Sequence, residues 1–286
     1  MLHKNKSLLP NMLSLQVLLN HFYLTLDSAT YNAIAGCDFV RNQWAPNEIR
    51  TTHRTDRSYT GLYFYGEKTY FEFFDVTTET NRKVGDSAIA FGLEQEGETT
   101  LLEERWTDST RLTITRPAKD SQVNWFEMLI PAGFSLESPI AVWTMEYLSA
   151  FLQKWQPQPT ANNLSKAELM ARKTVLTRYK SLISPVENPV LRNVIELTLW
   201  ATPTVFEAFE KFTEDFGYSK NAGETGFSFT DAEGVTYHIN LSNSNLYGIT
   251  EVVFEINSLP SQQVWELGNS TLTCMEGGKA VWNFRR

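Results

Sequence analysis

Between His21 and Asp75 the chain sets out a short pattern that leaves few folds open. HFYLTL (21–26) reads as a strand and Asp27–Ser28 as a helix start; three more β-like runs follow, ending in TGLYFYG (60–66) and KTYFEFFD (68–75). Such a β-α-β-β-β unit, about fifty-five residues long, is well under one ordinary domain. Side chains on a strand alternate between faces. One face of 21–26 is therefore Phe22, Leu24 and Leu26, the other His21, Tyr23 and Thr25. In TYFEFFD, Phe71 and Phe73 share one face, and Tyr70, Glu72 and Phe74 the other. Each strand has an oily face suited to packing and a mixed polar and aromatic face suited to a cavity wall.

The pattern recurs. After a polar link (77–86) come SAIAFGLE (87–94), a short helix in GETTLLEERW (97–106) with Leu101 and Leu102 inward, and strands at 110–116, 123–130 and 141–148. Pro117 and Pro131 are read as strand stops. On the last strand Glu146 shares a face with Val142 and Thr144, opposite Trp143, Met145 and Tyr147, and occupies its unit much as Glu72 does the first. QPQPTANN (156–163) is a linker by composition. Ser165 and Glu168 form a capping-box pair before a connecting helix that Pro185 closes. A third unit starts at NVIELTLW (193–200); its helix has Thr202 as N-cap, Pro203 in the first turn, a stripe of Val205, Phe206, Phe209, Phe212 and Phe216, and Gly217 at the end. The fourth unit (248–284) keeps its strands, but its helix has shrunk to a few residues around Leu259. The fold class is α+β: four diverged β-α-β-β-β modules in two pairs. The first pair (17–155) carries the site. Residues 156–189 are linker and connecting helix, and 190–286 form a degenerate pair with a structural or homodimer-forming role.

A net charge of −8 argues against nucleic acid as a partner. Cys37 and Cys274 lie far apart without metal spacing and read as two buried thiols. The first nineteen residues look like a signal peptide, but Pro10, Asn11 and Gln16 break the apolar run, and no stretch is long enough to span a bilayer. The expectation is a cytoplasmic protein without membrane contact.

Paired β-α-β-β-β modules with His on the first strand and Glu on the last resemble the vicinal oxygen chelate superfamily, which includes glyoxalase I, extradiol dioxygenases and bleomycin-resistance-type binding proteins. The run from Arg54 to Asp75 is also similar to an uncharacterised bacterial glyoxalase-like branch. The resemblance implies sheets curled into an open barrel around a divalent metal ion, of the Zn, Mn, Fe or Ni type. Carried over residue by residue, it makes His21, Glu72 and Glu146 the metal ligands. A fourth ligand should fall near Ala88 to Ala90, where nothing can bind a metal. Around Val194 and Glu251 no His–Glu set can be assembled, and His238 reads as one residue out of register.

Two function classes follow. A metal held by three protein ligands could polarise a small oxygenated metabolite, with Glu146 as the catalytic base, giving a lyase, isomerase or dioxygenase. The alternative is a metal-free protein that sequesters an aromatic or amphipathic small molecule; a purely structural or partner-binding role is a third reading. Arg54 and Tyr59, from a segment rich in arginine, are candidates for substrate binding, alongside Tyr23 and Tyr70 as cavity aromatics. The competing reading makes 49–61 a charged edge strand that blocks aggregation.

Overall fold

A computed structural model describes residues 15–78, 81–118, 121–155, 164–244 and 246–285. The N-terminal run up to residue 14 and the 156–163 linker lie outside the described residues. The first sheet contains β1 (Leu18–Leu26), β2 (Asn47–His53), β3 (Ser58–Tyr65), β4 (Tyr70–Asp75), β5 (Ser87–Leu93), β6 (Thr110–Ala118), β7 (Ser121–Ile130) and β8 (Ile140–Tyr147). Their order is β2-β3-β4-β1-β5-β8-β7-β6. Within each module the first and last strands pair in parallel, β1 with β4 and β5 with β8, and the modules join antiparallel through β1 and β5. Parallel pairing needs a crossover, which helices α1 (Ser28–Gly36) and α2 (Glu98–Arg105) help supply. The far ends of the sheet curl toward each other: the Thr55 N–H after β2 donates to the Thr115 carbonyl of β6 at 3.1 Å, and the two threonine hydroxyls bond at 2.7 Å.

The second sheet repeats the plan with β9 (Leu191–Ala201), β10 (Asn221–Ala222), β11 (Gly226–Thr230), β12 (Thr236–Leu241), β13 (Gly248–Ile256), β14 (Gln263–Leu267), β15 (Ser270–Met275) and β16 (Lys279–Phe284), in the order β10-β11-β12-β9-β13-β16-β15-β14. Modules one and two therefore share a sheet, as do three and four. The sheets pack through their oily faces. Phe22 stacks on Phe71 at 5.2 Å, and Phe71 and Phe73 meet Trp282 and Phe254 of the second sheet. Phe91 lies on Phe212 of the third unit's helix, residues Pro203–Phe216, and on Tyr237. Burying this much aromatic surface is the main force holding the halves together.

Local signals were obeyed closely. The Asp27 carboxylate accepts from Thr30 N at the head of α1, and Ile34 is fully buried, while Tyr31 is half-buried. Both capping-box bonds between Ser165 and Glu168 are present. Pro203 opens the third unit's helix, and Gly217 ends it at φ 68°. No helix separates β13 from β14.

Three expectations need correction. Leu101 is 53% exposed and Leu102 alone turns inward, because α2 is too short to bury adjacent positions. Pro117 lies inside β6, where an edge strand tolerates its missing N–H. The connecting helix is two helices, Lys166–Met170 (α3) and Arg172–Lys180 (α4), broken at Ala171. Both cysteines are free thiols; Cys274 is buried, with its pKa pushed up to about 12 by that burial, whereas Cys37 is only half-buried. No described helix is long and apolar enough to cross a membrane.

Candidate functional site

Cross-strand register decides what faces the concave side of the first sheet. His21 stands beside Tyr70 on β4 and Tyr23 beside Glu72. Across the module seam their neighbours on β5 are Ala90 and Ala88, and the next strand places Trp143 beside Ala90. Two methyl-sized residues between rows of large ones leave a hollow. It is a cavity of about 340 Å³ walled by β1, β4 and β8, closed by β2, β3 and β7, and touched by Tyr179 from α4. A volume of this size suits a small organic ligand.

His21 and Glu72 meet at the base of this cavity. His21 Nε2 is 4.0 Å from Glu72 Oε1, and Nδ1 bonds the Asn20 side-chain oxygen at 2.8 Å. That bond places the ring proton on Nδ1 and leaves Nε2 with a free lone pair. The imidazole stacks on Tyr70 at 4.5 Å and meets Trp143 edge-on at 5.7 Å. Burial pushes the His21 pKa down to about 3, so the ring is neutral at physiological pH. Burial also pushes Glu72 up to about 7, against the pull of the Arg50 guanidinium and the Tyr63 and Tyr70 hydroxyls. The pair is a neutral imidazole beside a carboxyl that titrates near neutrality, not a salt bridge.

Glu146 does not join them. Its strand presents Trp143, Met145 and Tyr147 to the cavity, so Glu146 points to the other side. There its two carboxylate oxygens accept from the backbone N–H groups of Gly97 and Thr99, both at 2.7 Å. It anchors the N-terminus of α2, where a negative charge is favoured, and it is neither metal ligand nor catalytic base in this geometry. The sequence already set Trp143, Met145 and Tyr147 against Glu146, and the aromatic face was the one to follow into the cleft.

The other candidates do line the cavity. Arg54 is spent on a bidentate bond to Asp56, 2.8 Å on each nitrogen. Tyr59 meets the edge of Phe74 at 5.7 Å, and Tyr70 lies beneath His21. Among the described residues the buried Tyr23 hydroxyl has no hydrogen-bond partner, and burial raises its pKa to about 12 against nearby Arg82 and Arg57. Trp125 and Trp143 have indole N–H groups in the same condition. Arg82 also lines the cavity but carries no signal in the sequence, because it sits in the polar link after β4 and only the curl of the sheet brings it to the cavity mouth.

This donor set does not fit a metal ion of the kind the resemblance implies. His21 and Glu72 offer two ligands, while Ala88, Ala90 and Met145 occupy the positions around them. No group of three or more His, Cys, Asp or Glu residues able to hold a metal occurs among the described residues. On the second sheet His238 does meet a carboxylate, Glu196 at 3.3 Å. Tyr237 points into the core and His238 away from it, so the expected register slip is absent, but the pair stays at two residues.

The curled sheets of paired β-α-β-β-β modules form a glyoxalase-like fold. Residues 19–284 match the family of unknown function DUF5829, and the chain belongs to it. Among curated proteins, none matches the sequence. Solved structures share the fold at low identity. A hypothetical protein from Staphylococcus aureus is similar with a TM-score of 0.54 and 8% identity, covering 88% of this chain and 96% of that one. The Mn(II)-bound glyoxalase from Novosphingobium aromaticivorans gives 0.41 and 9%, covering 91% and 77%. An extradiol ring-cleaving dioxygenase from B. fuscum gives 0.38 and 12%, covering 80% and 54%. These likenesses concern the fold alone.

Proposed function

We propose that the first sheet's cleft binds a small, largely apolar organic molecule without a metal ion, as a sequestering protein would. One observation carries this reading: an aromatic-walled cavity of about 340 Å³ is lined by Tyr23, Trp125 and Trp143, whose buried Oη and Nε1 atoms have no partner among the described residues. Buried polar groups without partners are costly, and a ligand with polar atoms at these points would satisfy them. The metal-dependent lyase, isomerase or dioxygenase reading loses its ligand set with Glu146 turned away. The test is native mass spectrometry of the purified protein before and after denaturation, with thermal shifts against a panel of one- and two-ring aromatics. A co-purifying molecule, or a panel member that raises the melting temperature, supports the reading. Failure of both sinks it.

A second reading, turnover of the ligand by proton transfer, rests on the placement of His21 Nε2 and Glu72 Oε1 at the cavity base. It requires that Glu72→Gln keep ligand affinity while abolishing conversion of the bound molecule.

A further inference from the structure

The cavity mouth specifies the ligand more narrowly than its walls do. Arg82 Cζ lies 5.3 Å from the Tyr23 ring centroid, and Arg57 Cζ lies 5.3 Å from that of Tyr59. Phe74 touches both tyrosines edge-on, at 5.4 and 5.7 Å, so the two guanidiniums flank one aromatic arc. Among the described residues neither arginine pairs with a carboxylate, unlike their neighbours. Arg50 is bonded to Glu48 at 2.8 Å, and Arg54 to Asp56. Among the described residues Glu137 is the remaining acidic side chain at the rim. Among the described residues, with Arg50 and Arg54 internally neutralised, Arg57 and Arg82 against Glu137 leave an excess of one positive charge at the rim while Glu72 at the base is protonated below its pKa of about 7.

We infer that the cleft takes a flat aromatic acid carrying a single carboxylate, its ring between Tyr23, Phe74 and Trp143 and its carboxylate on Arg57 and Arg82. This rests on the cleft being a binding site and names what it binds. Guanidinium groups match a planar carboxylate through paired N–H donors. An excess of one charge suits a monoanion and disfavours a phosphate monoester, which carries nearly two negative charges at neutral pH. The walls agree: the Tyr23 and Phe74 rings stand at 77° and the Tyr23 and Trp143 rings at 41°, offering a flat ring both edges and faces.

Titration calorimetry with 2-naphthoate, its neutral amide 2-naphthamide, and naphthyl phosphate tests this on the full chain. The acid should bind at least about tenfold more tightly than the amide, the margin of a charge-assisted hydrogen bond, and more tightly than the phosphate. Arg57→Gln/Arg82→Gln should cost the acid at least about tenfold and cost the amide, which loses only neutral hydrogen bonds, much less. Both arginines reach solvent, so folding should survive, as circular dichroism would verify. Trp143→Ala should weaken both acid and amide, placing them in the cleft. Equal affinity for acid and amide, preference for the phosphate, or indifference to the arginine double variant would overturn the inference while leaving a binding cleft in place. Indifference to Trp143→Ala would overturn it by placing binding elsewhere. No binding of any probe would also overturn it, and the mass-spectrometric result separately decides whether the cleft binds anything.

Discussion

His21 and Glu72 face one another across 4.0 Å, yet their linkage to folding runs in opposite directions. Glu72 titrates at about 7 when folded and near 4.5 when unfolded. Between these values the folded state holds the extra proton, so stability is complete below pH 4.5 and falls as pH rises through 7. His21 titrates at about 3 folded and 6.5 unfolded; its contribution is complete above pH 6.5 and is lost on acidification. In the overlap, pH 4.5 to 6.5, the two slopes nearly cancel. Urea denaturation across that window should therefore show a nearly flat contribution from the pair in the wild type. Glu72→Gln should make stability rise more steeply with pH, and His21→Asn should make it fall, each by up to about 3 kcal/mol across the window. Parallel profiles for wild type and both variants would show that neither group is perturbed by burial. Tyr23→Phe removes an unpartnered hydroxyl and should raise the melting stability of the free protein by about 1 kcal/mol; a loss would mean that the hydroxyl has a partner. At this scale period-two alternation made His21, Tyr23, Tyr70 and Glu72 legible. It could not say which face of β8 turned inward.

Elements with strong local signals were readable because each signal is a short-range bond: Asp27 to Thr30, the Ser165–Glu168 box, and Gly217 in the left-handed region. Where a distant residue takes over, the sequence misleads. Glu146 looked like part of a site and instead holds α2 by two backbone N–H groups from 47 and 49 residues away. Glu146→Ala should thus lower stability by about 1–3 kcal/mol, the cost of leaving buried donors unpaired, without changing ligand affinity in the cleft. Reduced affinity with unchanged stability would restore Glu146 to the site. The connecting helix breaks at Ala171 for a related reason. The break frees the Arg172 backbone N–H to reach Glu94 at 2.9 Å, while the Arg172 side chain reaches the same carboxylate at 2.8 Å. Periodicity cannot register a bond to a residue 78 positions away.

Arg172 carries that bond into the architecture of the whole molecule. Arg172 is 3% exposed, and its guanidinium spans three elements: Glu94 after β5, the Leu19 carbonyl of β1, and Glu233 in the β11–β12 turn at 2.6 Å. The first two belong to the sheet that forms the cleft and the third to the sheet behind it, so one side chain fastens both to α4. The same helix sends Tyr179 into the cleft wall, where it stacks on Tyr65 at 5.8 Å. Arg172→Met keeps much of the packing volume and removes the charge, leaving Glu94 without this partner and Glu233 with Lys68 alone, at 3.4 Å. Buried pairs broken in this way cost 3–5 kcal/mol. Because Glu94 and Glu233 retain some contact with water, about 2–3 kcal/mol is the appropriate expectation here. The change should also weaken the coupling between halves. Trp125 and Trp143 report on the cleft sheet and Trp282 on the other, so tryptophan-replacement variants can follow the two sheets separately. In the wild type both reporters should melt together, held by the aromatic seam and by Arg172; in Arg172→Met their midpoints should separate. Coincident transitions at unchanged stability would show that the seam of Phe71, Phe73, Phe254 and Trp282 holds the sheets together without help from the connecting helix.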